Sequence, residues 1–253
     1  MSHWYDKQGN PMHWVPKKGG PGNRPTTIAD ARKMGLFPGV TDVIKILHKP
    51  ELERWKIVQA CTAVLSSPRK DGEGLDDFMN RVLFQDKEQE EEAARAADLG
   101  TAIHDAIAKS IAGKPYPEEL RPYVYPVMDW ITRLGAVVWS EKVLVGDGYA
   151  GKADVLIGSE LGLVLTDFKS ASKLPEKDSW LEHKLQTSAY AATLEPAPGT
   201  KIITANVYIS TKEPGQIAMH FQDNWVATFS MGFKPLLAFW QWKMNYATTK
   251  ENQ

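Results

Sequence analysis

Sulfur and membrane-length apolar runs are what this chain has least of. One cysteine, Cys61, occurs in 253 residues. An internal disulfide framework is therefore excluded, as is any site that needs several thiolates, such as a cysteine-ligated iron–sulfur cluster or a structural zinc. No apolar run approaches the roughly 18 residues of a bilayer span. The opening residues Met-Ser-His-Trp-Tyr-Asp-Lys have no signal-peptide character, and no Gly-rich Gly-Lys-Ser/Thr loop for nucleotide phosphates occurs. These absences lead to the expectation of a cytoplasmic protein with no membrane partner. Net charge is also nearly absent, at -1, so the molecule is not a polycation.

The charge is nevertheless uneven. Residues 1–70 hold 12 Lys+Arg against 5 Asp+Glu, whereas residues 71–100 hold 3 against 10. The basic front is either a set of solvated side chains or a surface for phosphates. A hydrophobic content of 43% and a charged content of 24% are those of an ordinary globular chain, long enough for a sizeable core.

Taken in order, residues 1–27 are rich in Gly, Pro, Lys and Trp and predict an irregular arm. Residues 28–97 predict a helical part, with helices over Ile28–Met34, Asp42–Leu47, Glu51–Leu65 and, from Leu75 to Ala112, a long pattern interrupted near Asp86. The acidic run Glu88–Glu92 is expected to be a solvated helix face. Residues 98–253 predict the core: a helix over Glu118–Leu134, strands over Ala136–Val145, Tyr149–Ile157 and Leu163–Lys169, a helix over Pro175–Ala192, strands over Ile202–Ser210 and Ile217–Phe221, and a closing helix over Asn224–Met244. The aromatic stripe of that last helix predicts core packing. Helices before and after a mostly antiparallel sheet predict an α/β domain of α+β character.

The chemistry-bearing stretch runs from Glu141 to Tyr190. Asp147-Gly148 is a hairpin signal between the first two strands. On the third, period-two alternation directs Asp167 and Lys169 to one side and Phe168 to the other. Read from the residues alone, this carboxylate and ammonium are either a surface ion pair or a metal ligand beside a group that handles a nucleophilic water. His104 on a helix, Glu141 on a strand and Asp154 beside a turn have equally plain structural readings when taken singly. Gln186 and Tyr190, four residues apart, share a helical face.

Five features follow one another: Gly100-Thr-Ala-Ile-His104, Glu141, Gly151-Lys-Ala-Asp154, Asp167-Phe-Lys169 and Gln186-Thr-Ser-Ala-Tyr190. This order resembles the PD-(D/E)xK nuclease superfamily in its RecB-like and Cas4-like exonuclease branch, over about residues 98–192. The missing cysteines set the chain apart from members with an iron–sulfur cluster. The resemblance implies a restriction-endonuclease-like core, a central mixed sheet flanked by helices. It implies a Mg²⁺ or Mn²⁺ ion held by His104, Asp154, Asp167 and the backbone carbonyl of Phe168. It further implies Lys169 at the attacking water, Glu141 as a further acid, and Gln186 with Tyr190 orienting Lys169.

The activity implied is hydrolysis of DNA from its ends in recombination, replication or repair, as in phage systems, with a single-strand annealing or recombination protein as a conceivable partner. Lys152, Lys173, Arg54 and Lys49 are candidate DNA contacts, and Trp4, Trp14 and Trp55 candidate stacking residues. The same residues leave open a nucleic-acid-binding protein without the reaction, and a restriction-type endonuclease.

Overall fold

The computed structural model describes residues 2–47 and 49–246, with side chains at all of these except 51–52 and 83–93. The chain divides into two compact units, one of Met1–Ile46 with Ile103–Gln253 and one of Leu47–Ala102. The sequence instead suggested a single domain after an N-terminal arm, with its core beginning at residue 98.

The second unit holds α3 (Pro50–Ser66) and the N-terminal part of α4 (Leu75–Ile111). Pro50 starts α3 at the one helical position where a missing N–H costs nothing. Glu73 accepts two hydrogen bonds from the Arg81 guanidinium, at 2.8 and 2.9 Å, which ties the link before α4 to its second turn. Helix α4 is unbroken where an interruption near Asp86 was expected. The side chains of Glu88–Glu92, expected on a solvated face, lie outside the described residues. Arg54 is exposed here and Lys49 is the N-cap of α3.

The first unit is built on a five-stranded sheet of order β5 (Gly135–Gly146), β6 (Tyr149–Ser159), β7 (Gly162–Ala171), β8 (Ile202–Ser210) and β9 (Ile217–Gln222). All neighbours are antiparallel except β7 and β8, which are parallel. Parallel neighbours require a crossover. Here that crossover contains α6 (Leu181–Ala191). The fold is thus mixed α/β, with helices flanking a mixed sheet. Asp147-Gly148 turns β5 into β6 as expected, Gly148 taking φ 80°.

Residues 1–27 are not an irregular arm. β1 (Trp4–Tyr5) pairs with β4 (Phe37–Pro38), and β2 (Trp14–Pro16) with β3 (Asn23–Pro25). Burial of large rings explains the order: Trp4 is 3% exposed and packs on Trp240 and Tyr246. Composition masked this, because Gly and Pro signal turns without saying that the aromatic residues between them are buried. Trp4 is therefore unavailable for base stacking, while Trp14 and Trp55 are half exposed.

Four helix boundaries differ from expectation, one of them because Glu118–Leu120 form a 3-10 turn ahead of a helix that starts at Arg121. Helix α1 (Ile28–Met34) forms as predicted, capped by Thr27 in a reciprocal bond with Asp30. Helix α2 (Val40–Ile44) starts earlier than Asp42, because Val40, Val43 and Ile44 are drawn into the core. Helix α6 starts six residues after Pro175, because tertiary bonds hold 175–180 in an irregular, bent path: Trp180 N–H donates to Tyr208 Oη, and a His220 ring nitrogen lies 3.1 Å from the Pro175 carbonyl. The closing helix is broken into α7 (Trp225–Thr228), a π-helical turn Phe229–Phe233 and α8 (Lys234–Lys243). A Cβ at Gly232 would sit 2.6 Å from Leu185, so the turn lets the backbone approach α6. The predicted stripe is half right: Phe233, Leu237 and Trp240 are buried, whereas Phe239 is exposed. The helix α5 (Arg121–Leu134) buries Val124, Val127 and Ile131.

Among the described residues no helix is long and apolar enough to cross a membrane.

Candidate active site

The site lies where β6 and β7 part. Their ladder runs from Ser159↔Gly162 to Val155↔Thr166 and then stops, while β7 continues along β8 to Ala171↔Ser210. Beyond Thr166 the β7 backbone therefore needs another partner on its β6 side. Asp154 supplies it, Oδ2 accepting the Phe168 N–H at 2.7 Å. Continuing the antiparallel register by one residue sets Asp154 opposite Asp167, and the β5–β6 register likewise sets Glu141 opposite Asp154. On the other side Asp167 is registered with Asn206, and Asn206 with His220. Five polar residues thus form a row across the sheet, with two carboxylates at its buried centre.

Around that centre the predicted residues converge. Lys169 Nζ is 2.6 Å from Asp167 Oδ2 and donates to Gln186 Oε1 at 3.0 Å. Gln186 Nε2 donates to Asp167 Oδ1 at 3.0 Å and to Tyr190 Oη at 3.3 Å. One amide thereby holds both the acid and the ammonium. His104, which enters from the C-terminal part of α4, sets Nδ1 3.7 Å from Asp154 Oδ2, and its ring meets that of Phe168 edge-on. Glu141 is ion-paired with Lys152 and takes φ 54°. That left-handed conformation is costly for a residue other than glycine or asparagine and collects at functional sites. Gly151 is required where it stands, since a Cβ there would lie 2.8 Å from the Tyr190 ring.

The electrostatics are those of a site short of positive charge. Asp154 is pushed well above the carboxylate range, first by burial and then by the Asp167 charge; Lys169 and the Phe168 N–H oppose this only in part. Burial lowers His104 below its ordinary value against the pull of Asp167, so the ring is neutral near pH 7 and offers a lone pair. Burial also pushes Tyr190 well up, keeping it a phenol. Asp167 Oδ2 is buried and in ion-pair contact with the Lys169 ammonium; besides that contact it has no hydrogen-bond partner among the described residues.

That oxygen, beside a second buried carboxylate and a neutral imidazole, suits a hard divalent cation retaining some waters. No ready-made group of three or more His, Cys, Asp or Glu side chains occurs among the described residues. The donor set is therefore partial, and a cation here would need water or substrate oxygen to complete it.

The candidate DNA contacts are scattered. Lys152 is at the site but is paired with Glu141. Lys173 is exposed in the segment after β7. Arg54 and Lys49 belong to the second unit.

Three groups of neighbours were not anticipated. Asn206 is 1% exposed next to Asp167; its Nδ2 donates to Ser179 Oγ and its Oδ1 lacks a hydrogen bond among the described residues. Tyr208, registered with Lys169, lies 2.8 Å from His183 Nδ1. His3, Tyr5 and His13 join Gln186 and Tyr190 in lining a cavity. The first two groups lie on strands that read only as β-branched or apolar runs, and the third comes from the segment read as an arm.

No protein-family model matches the chain, and no curated protein matches it. Among solved structures, one titled "Crystal structure of SSO0001" is 15% identical with a TM-score of 0.32, over 67% of this chain and 77% of that one. A likeness of that degree carries no inference about activity.

Proposed function

We propose that this chain is a metal-dependent DNA nuclease that hydrolyses phosphodiester bonds from DNA ends. The observation that carries the reading is the buried Asp154–Asp167 pair with Lys169 2.6 Å from Asp167, Asp154 held by the Phe168 N–H and the other two braced by Gln186. Burying like charges together is costly unless a cation compensates them. A lone ammonium half-compensates two carboxylates. The rest is the place of Mg²⁺ or Mn²⁺, with Asp154, Asp167 and His104 as side-chain ligands and, as the resemblance implies, the Phe168 carbonyl. An imidazole ligand favours tolerance of Mn²⁺.

When bound, such an ion neutralises phosphate charge and acidifies a bound water. The protein's own residues do the rest. Asp167 and Asp154 provide the negative pocket. Lys169, held by Gln186 Oε1, faces the reacting phosphate as a fixed cation that orients the attacking water or offsets developing charge. Gln186 holds acid and ammonium side by side, and Tyr190, as a neutral phenol against Gly151, keeps Gln186 in place. Glu141 with Lys152 supplies a further acid and a cation at the edge.

The test is an incubation of end-labelled linear, nicked and closed circular DNA with Mg²⁺ or Mn²⁺. Linear DNA is degraded from its ends. Asp167→Ala or Lys169→Ala lowers the rate by at least about two orders of magnitude, the usual cost of removing a charge-stabilising group. Unchanged cleavage by Lys169→Ala refutes the mechanism. Cutting of closed circles at defined sequences favours a restriction-type enzyme, and binding without cleavage under any metal favours a silent DNA-binding protein.

A further inference from the structure

The N-terminal segment does more than cover the core. A cavity of about 410 Å³ is lined by Gln186, Tyr190 and Lys152 and also by His3, Tyr5 and His13. That volume falls in the range of sites that enclose one small organic molecule, roughly 300–1,000 Å³. The first three residues belong to the candidate active site. The other three come from a part of the chain that no motif covers.

Their chemistry is specific. Trp4 N–H donates to His13 Nδ1 at 3.1 Å, so the neutral ring carries its proton on Nε2. Burial, and then the neighbouring His3, lower the His13 pKa and favour that neutral form. The His13 ring meets His3 edge-on at 4.9 Å and Tyr5 edge-on at 5.1 Å, which holds all three rings in fixed orientations. Burial, and then Asp42, raise the Tyr5 pKa, and Asp42 accepts the His3 N–H, so these rings have an acidic neighbour, while the Lys152 that also lines the cavity is ion-paired with Glu141. Such a wall disfavours a phosphate and suits a flat, neutral, hydrogen-bonding heterocycle. The segment is held to the core through Gly39, whose N–H donates to the His3 carbonyl at 2.7 Å and which bridges to Ala150 on β6.

We propose that this cavity takes the terminal nucleoside of a DNA strand, its base among His3, Tyr5 and His13, while the adjoining phosphate lies toward Gln186 and the carboxylates. The proposal rests on the nuclease reading above and adds to it the means by which an end is told from the interior of a strand: one nucleoside fits, and the folded N-terminus forms part of the wall.

The test uses the full chain with a chelator present, so that no cleavage is needed. Deoxyadenosine, deoxyadenosine monophosphate and inorganic phosphate are titrated in turn while the ring-proton NMR signals of His3 and His13 are followed, assigned with His3→Gln and His13→Gln. Deoxyadenosine and its monophosphate are expected to shift both signals saturably and with similar affinity, and phosphate is expected to shift neither. Thr41→Phe, from α2, and Val143→Phe, from β5, each fill the cavity and are expected to weaken nucleoside binding by at least roughly 10-fold, equal to about 1.4 kcal/mol, with melting temperature checked for both. Absence of a shift, a shift produced by phosphate alone, or binding untouched by both folded variants overturns the proposal. A protein that binds nucleoside here but cuts no DNA loses the nuclease reading and keeps the cavity. One that cuts DNA from ends with no nucleoside shift keeps the nuclease and loses the cavity.

Discussion

Lys169 and Asp167 stand 2.6 Å apart, ammonium to carboxylate, yet the Lys169 hydrogen bond goes to Gln186 and Asp167 Oδ2 is left without one among the described residues. An ordinary salt bridge would align the two. Here the amide of Gln186 bridges the two as a clamp, donating to the acid and accepting from the ammonium.

Gln186 is accordingly a positioning residue. Replacing it with Leu strips Asp167 Oδ1 and Lys169 of a partner each, and a buried group left unsatisfied costs about 1–3 kcal/mol. Gln186→Leu is expected to lower the melting temperature and to cut kcat more than it raises KM. Gln186→Glu retains an acceptor for Lys169 but sets a like charge against Asp167, so its pH–rate profile shifts where that of Gln186→Leu does not. Wild-type kinetics in both variants would remove the clamp.

Divalent cation should stabilise the fold itself. An ion that binds only the native state adds about 2.7 kcal/mol at a concentration 100 times its Kd. Mn²⁺ is expected to raise the melting temperature of the wild type, a chelator to reverse the rise, and Asp167→Asn to abolish it. Equal shifts in wild type and variant would mean that the ion binds elsewhere.

The N-terminus should be a structural element. Trp4 is buried against Trp240 and Tyr246, and Tyr246 Oη donates to the Leu36 carbonyl at 2.6 Å. Trp4→Ala is expected to cost about 3–5 kcal/mol, as for a large aromatic removed from a core. A thermal or urea melt reads this directly, and a change within a few tenths of a kcal/mol would restore the irregular arm.

Acid should loosen the same region. Asp30 is held well below its ordinary value, chiefly by the Arg24 guanidinium and then by Thr27. A carboxylate depressed on folding stabilises the protein above its unfolded pKa, and that contribution fades as pH falls toward the folded value. Asp30→Asn is therefore expected to melt below wild type at pH 7, and the gap to narrow progressively below about pH 4. A gap that stays constant or widens in acid contradicts this sign.

How far the sequence reaches depends on the range of the forces involved. Hairpin chemistry at Asp147-Gly148, the Thr27 cap of α1, the apolar runs that became β5 to β9 and the helical spacing of Gln186 and Tyr190 are local matters. Propensity, periodicity and turn geometry decide them within a few residues, so the central elements could be named before any coordinates, whereas the cluster His104, Asp154, Asp167, Lys169, Gln186 and Tyr190 was named from the family that the order of its motifs resembles. What the sequence could not supply was decided by contacts between residues far apart in the chain. Tyr208 and His220 hold 175–180 out of a helix that composition favours, and Leu185 opens a turn at Gly232. Burial against α8 turns a Gly- and Pro-rich stretch into ordered strands, the register of β8 on β7 sets Asn206 beside Asp167, and the Gly39–His3 bond brings His3 and His13 to the edge of the site. Long-range packing selects among conformations that local preferences leave nearly equal in energy, and only the folded chain expresses that choice.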